Sequence, residues 1–263
     1  MSIVERVKQK QIAELMDKGK RLDGRSLNDY REIRVERGII EKAEGSARVL
    51  LGKTEVLVGV KIQVGDPFQD TPNAGVLTVN CELVPLASPR FEPGPPGEDA
   101  IEIARVVDRG IRESKAIDTE KLCLIPGKKV LVVFVDLYVL NHDGNLIDAS
   151  AIAALAALLN SKMFKYEVVN GEVEVKPGYI PLPMQNYPIP VTFAKIGDKF
   201  AVDPWLEEEQ VMDARLTMTF EKDGKICAIQ KSGTGYLTRE QVSQLAKLAA
   251  EKASEIRKLV VKD

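Results

Sequence analysis

The sequence predicts a mixed α/β fold of the α+β kind, with sheets covered by helices and two halves built alike. Three observations carry this. Residues 33–84 read as a run of short strands broken by glycine turns, and a helix follows. An uninterrupted apolar strand at 130–140 leads straight into an alanine-rich stretch. From residue 190 the strand-turn-strand pattern returns and ends in a long amphipathic helix, a weak internal repeat without direct sequence match.

The first element predicted is a helix over 3–18, with Val4, Val7, Ile12, Leu15 and Met16 at helical spacing and Gly19 to end it. Residues 21–25 (Arg-Leu-Asp-Gly-Arg) read as a polar turn. Strands are expected at 33–37, 47–51, 55–63 and 76–84, with Gly52-Lys53 as a tight hairpin turn. The Gly, Pro, Asp and Asn residues between 65 and 75 mark a loop. Phe-Glu-Pro-Gly-Pro-Pro-Gly at 91–97 breaks the chain before a helix over 98–116. The strand at 130–140 is apolar throughout, which predicts burial on both faces.

An alanine-rich helix is expected to open at Asp148 or Ser150 and to run to about Lys162. Asn170-Gly171 predicts a short hairpin, and Pro177, Pro181, Pro183 and Pro188 a proline-rich crossing. Strands follow at 190–196, 199–202, 215–220 and 226–231, turned at Gly197-Asp198 and Asp223-Gly224. Thr238 to Gln241 is a capping box that starts a last helix to about Leu259. The expected divisions are 1–25 as an N-terminal helix and turn, 26–188 as a first subdomain and 189–263 as a second.

Composition narrows the function classes. The 263 residues are 44% hydrophobic and 29% charged, which suits a soluble chain with a sizeable core. No apolar run reaches the length of a membrane span. The Ser2–Arg6 start has no signal-peptide character, and a cytoplasmic location is the default expectation. The net charge of −2 lacks the basic excess of a protein that grips RNA alone, so any RNA contact should be local or shared with a partner. Cys81, Cys123 and Cys227 are isolated, which argues against a disulfide framework or a zinc site and predicts three buried thiols. His142 is the only histidine, so chemistry needing two is excluded. Beside Asp143-Gly144 it reads as a turn residue rather than a general base.

Four segments are candidates for chemistry. Arg105, Arg109 and Arg112 fall on one face of the predicted helix, with Ile103, Val106, Val107 and Gly110 on the other. Such a row can hold a chain of phosphates. It can also be a solvated face paired with Glu102, Asp108 and Glu113, and exposed pairs of that kind are weak. Asp203, Glu207, Glu208, Glu209 and Asp213 can bind magnesium or act as acids, or form an exposed acidic turn. Lys231 to Gly235 is glycine-rich, but it lacks the ending of a P-loop and reads as a turn before the capping box. Residues 143–149 open a helix, a natural anion site. There Asp148 is expected to cap the helix and repel phosphate, while Leu146 and Ile147 offer no donor.

These residues, taken in order, carry a resemblance. Arg21-Leu-Asp-Gly-Arg25, Glu44-Gly-Ser-Ala47 with Gly52-Lys-Thr54, and Phe91-Glu-Pro-Gly-Pro-Pro96 are its first markers. Ala104 to Ser114, the Asp143-Gly144 helix start, and Val202-Asp-Pro-Trp-Leu-Glu-Glu-Glu209 complete them. The chain resembles the RNase PH family of phosphorolytic 3′-to-5′ exoribonucleases over nearly its whole length, and most closely the non-catalytic ring subunits of the archaeal exosome. The resemblance implies an RNase PH-like fold of the ribosomal protein S5 domain 2-like type. Active members carry Gly-Gly-Thr-Arg at the start of the alanine-rich helix to hold the attacking phosphate. This chain has Gly144-Asn145-Leu146-Ile147 followed by Asp148, which implies a lost phosphate site and an inactive subunit. Glu209 and Asp213 lie near the family's aspartate pair with altered spacing and would be vestigial.

The resemblance also implies partners: a catalytic RNase PH-like subunit in a hexameric ring of three heterodimers, cap subunits with S1/KH-type RNA-binding domains, and RNA. Arg105 and Arg109, with Arg112 as a third, would then hold RNA phosphates beside the partner's active site. No cofactor, metal or membrane is expected. Two rivals remain at this point: an active phosphate-dependent exoribonuclease using Asp213, and a structural ring spacer without RNA contact.

Overall fold

The computed structural model describes residues 3–261, with side chains from Val7 onward. Ser2 and the side chains of Val4, Glu5 and Arg6 lie outside the described residues. Helix α1 spans Ile3–Asp17 and stops at Gly19 as the sequence predicts. Ile12 and Met16 bury against Ile196, Ala201 and Val211, whereas Val7 is exposed.

The first sheet holds β1 (Ile33–Arg37), β2 (Gly45–Leu51), β3 (Thr54–Gly65), β4 (Val76–Leu83), β5 (Cys123–Ile125) and β6 (Lys129–Asn141). Its order is β1-β2-β3-β6-β4, with β5 also on β6. Only the β4–β6 pair is parallel, because α2 (Glu98–Glu113) lies between those strands in the chain. Ile103, Val106, Val107, Gly110 and Ile111 turn the apolar side of α2 inward. The short β5 has no sequence signal and went unread.

Burial in β6 alternates. Val133, Val135, Leu137 and Val139 are fully buried, while Val132, Phe134, Asp136 and Tyr138 are half-buried. The expectation of burial on both faces is corrected here: helices cover only one face of this sheet. Each fully buried Val or Leu contributes roughly 1.5–3 kcal/mol.

The alanine-rich helix α3 spans Leu146–Leu159, opening two residues before Asp148 and ending before Lys162. It contacts β2 and β3 of the first sheet and β9 (Ile189–Ile196) of a second. Ala149, Ala153, Ala154, Ala156 and Ala157 are buried, so their small side chains let two sheets close on one helix.

The Asn170-Gly171 turn is present with both residues at positive φ, but the hairpin is longer than expected. Strands β7 (Lys162–Val169) and β8 (Glu172–Pro181) absorb Pro177 and Pro181, leaving only Pro183 and Pro188 in the crossing. This hairpin forms a sheet of its own, so proline there interrupts no central ladder. The second main sheet runs β10-β9-β11-β12, all antiparallel, with β10 (Lys199–Val202), β11 (Ala214–Phe220) and β12 (Ile226–Gly233). A short helix α4 (Leu206–Glu209) stands within the acidic stretch, with Glu208 buried rather than on an exposed turn. Helix α5 (Arg239–Val260) opens at Thr238 with the predicted capping box and buries Leu245, Ala249, Ala253 and Ile256.

All three thiols are free. Only Cys81 is buried. Cys123 and Cys227 are half-buried, which corrects that reading.

A closed helix start and an exposed arginine face

The turn between β6 and α3 is built by three elements that meet over it. Gly144 has φ +88°, and a Cβ there would stand 2.5 Å from the Trp205 carbonyl carbon. Asn145 also takes a left-handed conformation, at φ +52°. Arg31, just before β1, donates to Asp143 O at 2.7 Å and to Gly144 O at 3.2 Å. Thr54 Oγ1 donates to Gly144 O at 2.7 Å.

Asp203 anchors this arrangement from the end of β10. Its carboxylate accepts from Arg31 Nη2 at 2.7 Å, Arg25 Nη1 at 2.8 Å and Asn145 Nδ2 at 2.8 Å. The group is fully buried, which alone would raise its pKa. Arg31 and Arg25 outweigh that and hold it below the usual carboxylate range. Arg21 is buried as well and pairs with buried Glu208, Nε to Oε1 at 2.8 Å. Residues 21–25 form the polar turn that the sequence predicts, and its two arginines clamp it to the second half. Sequence reading missed Arg31 and the interior roles of Asp203 and Glu208, because nothing in the local pattern points charged residues inward.

Asp148 does not cap α3, contrary to expectation. It points inward and accepts from Asn145 Nδ2, Tyr30 Oη and Thr192 Oγ1 at 2.7–2.8 Å. Burial pushes its pKa up to about 6. The free N–H at the helix start goes to another acid: Asn145 N donates to Glu209 Oε1 at 2.9 Å. Burial raises Glu209 to about 7, against the pull of the Asn145 N–H and of Arg215 and Arg31.

A cavity of about 230 Å³ opens beside this contact. Of the expected lost phosphate site, Asn145 to Asp148, Leu146 and Ile147 line it, together with Asp99, Glu102 and Glu209. Of its two cations, Arg90 and Arg215, Arg215 is bound to Glu102 at 2.6 Å. His142 stacks on Phe91 with ring centroids 5.4 Å apart, and burial lowers its pKa. It is the turn residue that the sequence suggested. The cavity thus joins a helix start already bonded to a carboxyl, two apolar side chains and two more acids. Arg90 is exposed on its rim, with no side-chain partner among the described residues.

Asp213 is not gathered into this cavity. Its carboxylate accepts from Gly197 N at 2.8 Å and Gln9 Nε2 at 3.2 Å, at the β9–β10 turn. The glycine-rich 231–235 segment packs on the same residue, with Gly235 N donating to Asp213 O at 2.7 Å. Among the described residues no group of three or more His, Cys, Asp or Glu is arranged to hold a metal ion.

The arginines of α2 are exposed above the edge strand β4, along a groove of about 400 Å³ that all three line. Arg112 is committed: it pairs with Asp108 at 2.7 Å and donates to Leu77 O at 3.1 Å. Arg109 reaches only Gln230 Oε1 and Ile229 O, both at 3.4 Å. Arg105 has no partner among the described residues. Glu102, an expected partner of the row, is turned to Arg215 and accepts also from Gln230. Arg105 and Arg109 are therefore the two guanidinium groups with donors to spare.

Fold and site define an α+β chain of two halves around one helix, with a carboxyl bonded to the start of that helix. The chain belongs to the 3′ exoribonuclease family: the model of its domain 1 matches residues 29–163 and that of its domain 2 residues 186–252. It is 55% identical over 264 residues to the exosome complex component Rrp42 of Thermococcus kodakarensis, covering 100% of this chain and 97% of the relative. Rrp42 of Pyrococcus horikoshii is 57% identical, with 98% and 95% covered. Among solved structures, an Archaeoglobus fulgidus exosome with RNA bound to the active site contains a chain that superposes at TM-score 0.89. That chain is 46% identical, with 98% of this chain and 99% of that one covered. A chain of an archaeal exosome core superposes at 0.87 with 41% identity, covering 99% and 98%.

Proposed function

We propose that this chain is a non-catalytic ring subunit of an archaeal exosome, the 3′-to-5′ RNA-degrading complex. The observation that carries the reading is the contact between Asn145 N and Glu209 at the start of α3. Phosphorolysis needs inorganic phosphate held and oriented for attack. Here that position is taken by a carboxyl, which accepts the N–H whether protonated or not, and the adjoining side chains are Leu146 and Ile147. The near full-length identity to Rrp42 proteins supports the same reading.

Activity then resides in a catalytic RNase PH-like partner, with three pairs closing a hexameric ring. This chain shapes the partner's site and supplies Arg105 and Arg109 to the RNA backbone. Such contacts are independent of base sequence and sensitive to salt. Arg112 serves first to fix α2 against β4. Cap subunits with S1/KH-type domains and a cytoplasmic location complete the proposal.

Co-expression with the catalytic partner tests it. The chain alone, given RNA and phosphate, should release no nucleoside diphosphates, and the co-purified ring should release them. Release by the chain alone overturns the reading in favour of an active phosphorolase.

A further inference from the structure

We infer that Phe68 is a base-stacking platform at the far end of the arginine groove. A single-stranded RNA with phosphates on Arg105 and Arg109 would lay one base on its ring. This rests on the RNA reading of the groove and deepens it.

Phe68 is 56% exposed in the loop between β3 and β4. The loop is braced rather than loose. Thr71 N donates to Phe68 O at 3.2 Å, Gly75 N to Thr119 O at 2.8 Å, and Gly127 N to Pro72 O at 2.9 Å. Lys129 pairs with Asp66 at 2.8 Å on the other side. An aromatic ring is thus held in solvent on a tied turn, which lowers the entropy cost of using it.

The ring does not stand alone. Phe68, Arg112 and Lys115 line a second groove of about 540 Å³ that shares Leu77 and Arg112 with the arginine groove. The two grooves therefore run together from Arg105 to Phe68. Lys115 is exposed and has no partner among the described residues. Asp108 and Glu113 line the first groove and Asp118 and Glu120 the second; Arg112 pairs with Asp108 at 2.7 Å and Lys121 with Asp118 at 3.0 Å. A cationic track that ends on an aromatic face is the combination by which proteins hold single-stranded nucleic acid without reading its sequence. With Asp108 and Asp118 paired off, Arg105, Arg109 and Lys115 stand without an ion pair against Glu113 and Glu120, and those three cations beside an exposed ring are what a nucleic acid backbone would use.

The test uses the assembled ring without phosphate and an oligoadenylate carrying 2-aminopurine at successive positions. F68A and F68L should each weaken binding about tenfold, within the range of a lost base-aromatic stack. They should also relieve the quenching of 2-aminopurine at one position, while F68W keeps both affinity and quenching. Unchanged affinity and quenching in F68A, with R105E/R109E still weakened, overturns the stacking role and leaves the RNA reading intact. If R105E/R109E binds normally as well, the RNA reading itself fails. Loss of the ring on size exclusion in F68A and F68L makes Phe68 a subunit contact and also overturns the inference.

Discussion

The main-chain N–H of Asn145 donates to Glu209 across 64 residues of sequence, at 2.9 Å. This one bond sets a carboxyl against the α3 start, where an anion would otherwise be attracted. It also ties α4 of the second half to the turn after β6 of the first.

Removing the acceptor should therefore weaken the fold without creating activity. E209A is expected to cost about 1 kcal/mol, the usual value of a lost helix-start acceptor. For a chain of this size that lowers Tm by about 2–4 °C or slightly less. Phosphorolysis should stay absent in the variant, since Leu146 and Ile147 still offer no donor. Thermal denaturation and a nucleoside diphosphate assay check the two halves of the expectation.

Glu209 also gives a pH signature. Its pKa is about 7 in the fold against an ordinary 4.5. A group raised on folding adds stability that is complete below pH 4.5 and is lost as pH rises through about 7. E209Q cannot titrate. The stability of the parent minus that of E209Q should fall between pH 4.5 and 7 in urea denaturation. A difference that stays flat over that window contradicts the burial of this carboxyl. Asp148, raised to about 6, should behave alike in D148N over a window about one unit lower.

Asp203 pairs with two guanidinium groups in the interior. D203N keeps the shape and tolerates the left-handed backbone at φ +48°, but leaves Arg25 and Arg31 short of charge. Breaking a buried ion pair from one side costs about 3–5 kcal/mol. An unfolding free energy lowered by that amount in urea denaturation is expected. A change under about 1 kcal/mol would show that the arginines find other partners.

Gly144 faces the Trp205 backbone at a positive φ. G144A asks for both a strained conformation and a shift of that backbone, and should cost more than about 1 kcal/mol. Chemical denaturation reads this directly, and an unchanged midpoint would contradict the close approach.

Charge reversal at Arg105 and Arg109 should act on RNA rather than on the fold, because neither side chain carries a strong bond in the chain. The assembled ring with R105E/R109E should keep its Tm and bind single-stranded RNA at least tenfold more weakly. Its salt slope should be shallower by about 1.4, the value for two lost phosphate contacts. Unchanged degradation and salt dependence would favour a structural spacer.

The sequence made some of this legible and hid the rest, for identifiable reasons. Periodicity located most strands and helices to within a few residues, because apolar spacing records which face is covered. It misjudged β6, since a strand rich in Val and Leu reads alike whether one face is covered or two. Pro177 and Pro181 were read as breaks, yet an isolated hairpin tolerates them. The loss of threonine and arginine at 146–147 was visible by resemblance. What replaced the phosphate was not, because Glu209 reaches Asn145 only through tertiary packing. The same holds for Arg21, Arg31 and Asp203, whose partners lie more than a hundred residues away or on another element.

The most direct test is phosphorolysis by a complete ring in which only the catalytic partner has been silenced by mutation. With Glu209 against the α3 start and no donor side chain at Leu146 or Ile147, such a ring should bind RNA and release no nucleoside diphosphates. Steady diphosphate release from it, lost again on changing Glu209 or Asp213, would mean that this subunit is a working enzyme.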